Sequence, residues 1–194
     1  MRKRTRSTKN ALIVAERAKS VAFANSERAK NAARLARAII GEFGPDAQQF
    51  AASWIGFNAL YKLASGDYER ARFTNAIEEG LTDVQALHIL ETCVWEVSYL
   101  VHLPPGNMRH RHDVQHFREQ SERDLATALD NELAPARRLV GLVSAVYQVR
   151  CNLFHGAKNP AAPRSRQLFK IGAKITKLVV DALATNAEQL PQDA

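Results

Sequence analysis

Cysteine is scarce in this sequence, which contains only Cys93 and Cys151. Two cysteines cannot form a disulfide framework, and their spacing matches no zinc-binding motif. Long apolar runs are also missing, and the first residues, MRKRTRSTKNALIVAERAK, lack the apolar stretch of a secretory signal. We therefore expect a cytoplasmic protein without a membrane span. Because 46% of its residues are hydrophobic, the chain has enough apolar residues to form a core.

Strand patterns are equally lacking. No segment alternates apolar and polar residues, and no short β-branched run is bounded by turns. Helical periods cover nearly the whole chain, with glycine or proline at Gly44-Pro45, Gly80, Pro104-Pro105-Gly106, Pro135 and Gly156 marking helix ends. Seven helices are predicted, over residues 10–40, 46–64, 68–79, 82–101, 114–133, 135–156 and 165–187. Short connections between them favour an all-α, up-and-down helical bundle.

Positive charge is concentrated at the N-terminus. Residues 1–40 contain eleven Lys/Arg and two Glu, a net charge of +9, so the remaining sixteen Lys/Arg and eighteen Asp/Glu leave a net −2. This contrast predicts a basic N-terminal arm with a long helix over residues 1–44 and a bundle over residues 45–194. A basic arm on a near-neutral body indicates a polyanionic partner such as RNA, because phosphate contacts release counterions. An arm that only aids solubility is the alternative.

Three polar residues fall on apolar helical stripes. At about 100° per residue, Arg150 projects into the apolar stripe of the helix over 135–156. Asn58 lies among Trp54, Phe57 and Tyr61, and Glu91 lies among Leu87, Leu90, Val94 and Val97. An unpaired buried guanidinium is costly, so we expect Asn58 and Glu91 to be buried and to support Arg150. Such a cluster could either fix helix register or orient Arg150 towards a ligand.

His155 follows Arg150 by five residues, which places the two about 140° apart on an ideal helix. Asn152 and His155 are three residues apart and share a face. A histidine that titrates near neutral pH can transfer protons, and an arginine can stabilise the charge of a phosphodiester. This pair therefore indicates phosphodiester chemistry, although the spacing alone is not specific.

The segment RCNLFHG, preceded by VYQV, resembles the R-x4-H signature of the HEPN superfamily, and WIGFNALYKL resembles the aromatic helix that accompanies it in Apea-like bacterial proteins. The resemblance covers residues 46–187. It implies a helical bundle that dimerises to form a composite Arg/His cleft. It also implies a metal-independent endoribonuclease of toxin–antitoxin, phage-defence or RNA-processing systems, whose partners would be RNA, a second copy, and an antitoxin or defence protein.

Carried over, the resemblance makes Arg150 the phosphate-binding residue and His155 the general acid/base. The family usually has a polar residue directly after the arginine, and because Cys151 occupies that position here, we assign the polar role to Asn152. Ala157 stands where toxins that pair with nucleotidyltransferase antitoxins have a tyrosine. Regulation by modification of that tyrosine is therefore not predicted.

The remaining predicted site residues form two groups. The supporting group behind the catalytic strip comprises Glu91, Asn58 and Cys151. The RNA-binding group comprises Arg2, Lys3, Arg4, Arg6, Lys9 and Lys158. No metal ion and no cofactor are predicted.

Three other interpretations compete with this one. HDVQH, at His112 to His116, resembles a zincin motif, but Asp113 replaces the glutamate and no third ligand is evident. Cys151 and His155 could form a thiol–imidazole pair, but the C-terminal end of a helix disfavours a thiolate. The main competitor is a HEPN-like module that binds nucleic acid or a protein without cleavage. A strip that faces a shared cleft favours the enzyme, and a strip buried in its own monomer favours the module.

Overall fold

The computed structural model describes residues 44–107, 116–154 and 159–189, and all regular structure in these ranges is helical. Within them no helix is long and apolar enough to cross a membrane. The predicted all-α fold is confirmed, whereas the predicted helix over 10–40 lies outside the described residues. The helices are α1 (Pro45–Tyr61), α2 (Glu69–Gly80), α3 (Asp83–Thr92), α4 (Val94–His102), α5 (His116–Leu129), α6 (Pro135–Phe154) and α7 (Pro163–Gln189).

Local sequence signals account for several helix ends. Pro45 starts α1 and Pro135 starts α6, where a missing backbone N–H costs nothing. Thr82 and Gln85 have capping-box spacing and form that box at the start of α3: each side chain bonds the backbone of the other residue. These ends are determined by residues next to them in the chain.

The predicted single helix over 82–101 is wrong, because the chain divides into α3 and α4 at Cys93. In an unbroken helix the Thr92 carbonyl would accept from the N–H four residues later. Here the Nζ of Lys174, on α7, donates to that carbonyl at 2.9 Å. A contact from a distant helix therefore accompanies the break.

The core surrounds α6, which packs against α5, α3, α2 and α7, while α1 packs along α7. Gly141 allows the closest of these approaches, since a Cβ there would lie 2.5 Å from the Asp124 carbonyl oxygen of α5. Aromatic residues of α1 pack edge-on against one another and against Phe73, and the Tyr147 ring is tilted by 35° to that of Trp54. The fold therefore encloses most of α6. Arg150, near the C-terminal end of this helix, is only half-buried.

Candidate active site around Arg150

Arg150 lies in the last turns of α6, where its side chain is 22% exposed. Its guanidinium carbon lies 5.7 Å from the centre of the Tyr147 ring and 5.1 Å from that of Phe154. Both distances are within the range of cation–π attraction. The apolar stripe predicted around Arg150 is present, and it holds the guanidinium between two rings at the edge of the core.

Glu69, the first residue of α2, is the acidic partner of Arg150. Its Oε1 lies 3.2 Å from Nη2 of the guanidinium. The Tyr61 hydroxyl also donates to Oε1, and the Tyr147 hydroxyl donates to Oε2 at 3.1 Å. Three side chains from α1 and α6 thus converge on one carboxylate, which restricts where the guanidinium can lie.

Tyr61 and Tyr147 keep their protons at pH values well above those at which a tyrosine ordinarily ionises. Burial, followed by the hydrogen bond to Glu69, raises the pKa of Tyr61. Burial, followed by the neighbouring Cys151 thiol and then by Glu69, raises the pKa of Tyr147. Both hydroxyls therefore act as hydrogen-bond donors to Glu69 at neutral pH, not as bases.

The guanidinium retains an unused donor. The Nε of Arg150 is buried, and no acceptor within the described residues bonds it. A buried N–H without a partner costs about 1–3 kcal/mol. An anionic oxygen is the kind of group that would satisfy it.

Asn152 is not on a solvated polar face, because its side chain is buried, with 4% exposed. Its Nδ2 donates to the Gly106 carbonyl at 2.7 Å, and its Oδ1 accepts from Gln148. The backbone N–H of Asn107 bonds the Phe117 carbonyl, so the loop after α4 is attached to both α5 and α6. In this structure Asn152 anchors that loop, a role that the helical projection did not reveal.

The expected burial of Glu91 and Asn58 is wrong, since both side chains are exposed. Glu91 lines an apolar groove of about 360 Å³ with Leu87, Val94 and Arg138. Arg138 precedes Arg150 by twelve residues, or about 18 Å along α6. The stripe that contains Glu91 thus faces a surface groove, far from the guanidinium that we expected Glu91 to support.

Sequence reasoning missed two acidic residues that are half-buried or buried. Glu69 is followed by Phe73 and Ile77 at helical intervals of four, both of them buried, and this spacing was the available signal. Glu96 is 7% exposed and pairs with Lys174, whose Nζ lies 2.8 Å from Oε1. The core-facing side of α3 and α4 therefore keeps Leu90 of the projected stripe but leaves Leu87 and Val94 exposed.

Several predicted residues lie outside the described ranges: His155, Lys158, and the arm residues Arg2, Lys3, Arg4, Arg6 and Lys9. Cys151 is half-buried, with its thiol near the Tyr147 hydroxyl. Of the HDVQH segment only His116 is described, and it lies 3.9 Å from Glu119 at the start of α5. By sequence, His155 directly follows the last residue of α6.

Comparisons of the chain with protein-family models, with curated proteins and with solved structures give no significant match.

Proposed function

We propose that this protein is a metal-independent endoribonuclease of the HEPN kind. The observation that carries the proposal is the Arg150 guanidinium: Glu69 holds it, yet its buried Nε has no acceptor among the described residues. The Arg150 side chain is 22% exposed, so a phosphate can reach its exposed part, and arginine bonds phosphate well. The all-helical fold and the adjacency of His155 in sequence also support the proposal.

In this mechanism the 2′-hydroxyl of RNA attacks its own adjacent phosphate. His155 transfers the proton, and Arg150 stabilises the charge that develops on the phosphate. Cleavage leaves a 2′,3′-cyclic phosphate and a 5′-hydroxyl. DNA lacks the attacking group and is spared.

One strip contains one arginine and one histidine, whereas the reaction needs a base, an acid and charge stabilisation together. Two copies related by a two-fold axis would supply them. We therefore expect a homodimer in solution. Light scattering that finds a monomer at micromolar concentration would contradict this expectation.

The decisive experiment is cleavage of RNA by purified protein in the presence of EDTA, with end-group analysis of the products. His155→Ala should lower the rate about 10²–10⁴-fold, the usual contribution of general acid/base catalysis. His88→Ala is the matched control, because His88 is exposed on α3, away from Arg150. If EDTA abolishes cleavage, or DNA is cut equally well, the metal-free mechanism is wrong.

A module that binds nucleic acid or a protein without cleavage is the second candidate, and the burial of Asn152 favours it. The Asn152 amide, which we expected to take part in catalysis, instead donates to the Gly106 carbonyl. This alternative predicts that the dimer cuts no RNA. It also predicts that Arg150→Ala weakens binding without any catalytic effect.

The basic residues 1–40 complete the proposal. Their charge should add affinity for RNA that falls steeply with salt. Deletion of residues 1–9 should reduce binding at low salt and leave the melting temperature unchanged. Unchanged binding would assign the arm to solubility or to a protein contact.

A further inference from the structure

A polar cleft of about 410 Å³ opens between α2 on one side and α5 and α6 on the other. Its size falls within the range of about 300–1,000 Å³ that is usual for small-molecule pockets. Hydroxyl, amide, guanidinium and carboxylate groups line it, and its rim carries an exposed tyrosine. Its lining includes Tyr68, Arg70, Asn75, Asp124, Arg137 and Ser144.

A serine lies on the floor of the cleft. Ser144 lines the cleft although only 2% of the residue is exposed. No hydrogen bond within the described part of the chain uses its hydroxyl. Beside it, Gly141 lets α5 approach α6, which closes the cleft behind Ser144. A ligand that enters the cleft therefore meets the Ser144 residue at its floor.

The charges in the cleft cancel. Arg70 pairs with Asp124, and Arg137 Nη1 lies 3.0 Å from Glu78. Burial raises the pKa of Asp124 even though Arg70 opposes this effect, which marks a partly dehydrated site. A compact anion gains little from such a balanced lining. A flat, uncharged molecule with hydrogen-bond donors and acceptors along its edge matches the lining better.

Tyr68 adds a flat apolar surface. Its side chain is 65% exposed at the rim, in contrast to the buried aromatic residues of the core. Unpaired bases of single-stranded RNA stack on exposed aromatic rings of this kind. Asn75 already donates to Ser65 through Nδ2, which fixes the orientation of its amide in the cleft wall.

Two lining residues of the cleft are close to the Arg150–Glu69 pair in the chain. Ser144 precedes Arg150 by six residues, which is about 9 Å along α6. Tyr68 directly precedes Glu69, the carboxylate that holds the guanidinium. A single strand whose phosphate lies on Arg150 would therefore bring a base a few nucleotides away to the cleft.

We infer that this cleft binds an unpaired nucleobase of RNA, with Tyr68 stacking on the base and Ser144 and Arg137 bonding its edge. This inference rests on the proposed function, because it names a part of the same substrate. It also assigns the cleft a role in choosing which RNA is bound.

The test measures the affinity of full-length protein for short, labelled single-stranded RNAs with 2′-O-methyl groups, which cannot be cleaved. Tyr68→Ala should weaken binding about 5- to 100-fold, the usual effect of losing one stacked base, and Tyr68→Phe should keep most of it. Arg137→Gln should weaken binding by several-fold. Trp95→Ala and Arg123→Gln are the matched controls, since both residues are exposed outside the cleft lining.

Losses confined to the cleft variants support the inference, and equal affinity of all variants overturns it. A second measurement uses free adenosine, guanosine, cytidine and uridine with isotope-labelled protein. Amide shifts around Thr74 and Ser144 support a base site, whereas no shift at millimolar nucleoside, or shifts elsewhere only, overturns it. Binding losses in a protein that cuts no RNA would keep the base site and refute the ribonuclease. Cleavage that is insensitive to every cleft variant would keep the ribonuclease and refute the base site.

Discussion

Two ion pairs of this molecule place a charge in largely apolar surroundings, but they are built differently. At one pair, Glu69 accepts from two tyrosines and lies beside Arg150, so it is the guanidinium that keeps an unused donor. At the other, Lys174 bonds both Glu96 and the Thr92 carbonyl.

The second pair leaves its unused atom on the acid: the Oε2 of Glu96 is buried and has no partner within the described residues. The Arg150 pair thus presents a donor suited to an anionic ligand. The Glu96 pair joins α7 to the junction of α3 and α4. The difference separates a candidate site from a structural contact.

Removing the cation of each pair should give the largest contrast. Arg150→Ala should lower RNA cleavage more than about 100-fold, because it removes the group that binds the phosphate. Lys174→Ala should leave cleavage by the folded protein within a few-fold of wild type. Rates are measured at a temperature where circular dichroism shows both variants folded. Equal losses in the two variants would mean that Arg150 acts only through the fold.

Removing the acid of each pair should separate them in stability. Glu69→Ala leaves two tyrosine hydroxyls and a guanidinium without their acceptor, and we expect a loss of about 2–4 kcal/mol. Glu96→Ala should cost less, about 1–2 kcal/mol, because Lys174 is 42% exposed and can return to water. Urea unfolding of both variants measures the difference. A larger loss for Glu96→Ala would reverse the assignment of the two pairs.

Rising alkaline pH should affect the region around Glu96 first and the region around Glu69 next. Burial, and then Glu96, raises the pKa of Cys93 from 9.0 to about 11, and the pKa of Tyr61 and Tyr147 is raised above 10.0. Each folded group keeps a proton that the unfolded chain releases. Its contribution to stability is therefore complete below the unfolded pKa and is lost as pH rises.

The free energy of unfolding should accordingly stay level up to about pH 9 and then fall, by as much as about 1.4 kcal/mol per pH unit for each group. Cys93→Ala should remove the decline between pH 9 and 10. Tyr147→Phe should reduce only the part of the decline in stability that occurs above pH 10. If Cys93→Ala follows the wild-type profile, ionisation of that thiol is not the cause.

The smallest effect is expected at the two exposed residues that were predicted to be buried. Glu91→Ala and Asn58→Ala should each change the free energy of unfolding by less than about 0.5 kcal/mol, as is usual for surface positions. Thermal unfolding of these two variants, measured together with Glu69→Ala, tests this expectation directly. A loss of several kcal/mol at Glu91 would restore the original assignment of the apolar stripe.

Prediction from sequence succeeded where the signal was local. Helix type follows from apolar spacing of about 3.6 residues, and the starts of α1, α3 and α6 follow from proline and a capping box. The anomaly at Arg150 was also visible, because a charged residue interrupts an otherwise apolar stripe. These features depend only on residues within about one or two turns of each other.

Prediction failed over residues 82–101, where the predicted helix carries two apolar faces. Along α3 and α4, Leu87 and Val94 are exposed on the groove, whereas Ile89 and Leu100 enter the core. Spacing alone does not tell these faces apart, so Glu91 was chosen in place of Glu96. Local sequence pattern was thus sufficient for the helical fold class and for the anomalous, half-buried arginine.

Packing between helices, and not local pattern, brings Glu69 to Arg150, Asn152 to Gly106, and Lys174 to Thr92 at the break in the helix. These pairs are 46 to 82 residues apart in the chain. Their geometry depends on how whole helices pack against one another, which local helical spacing does not contain.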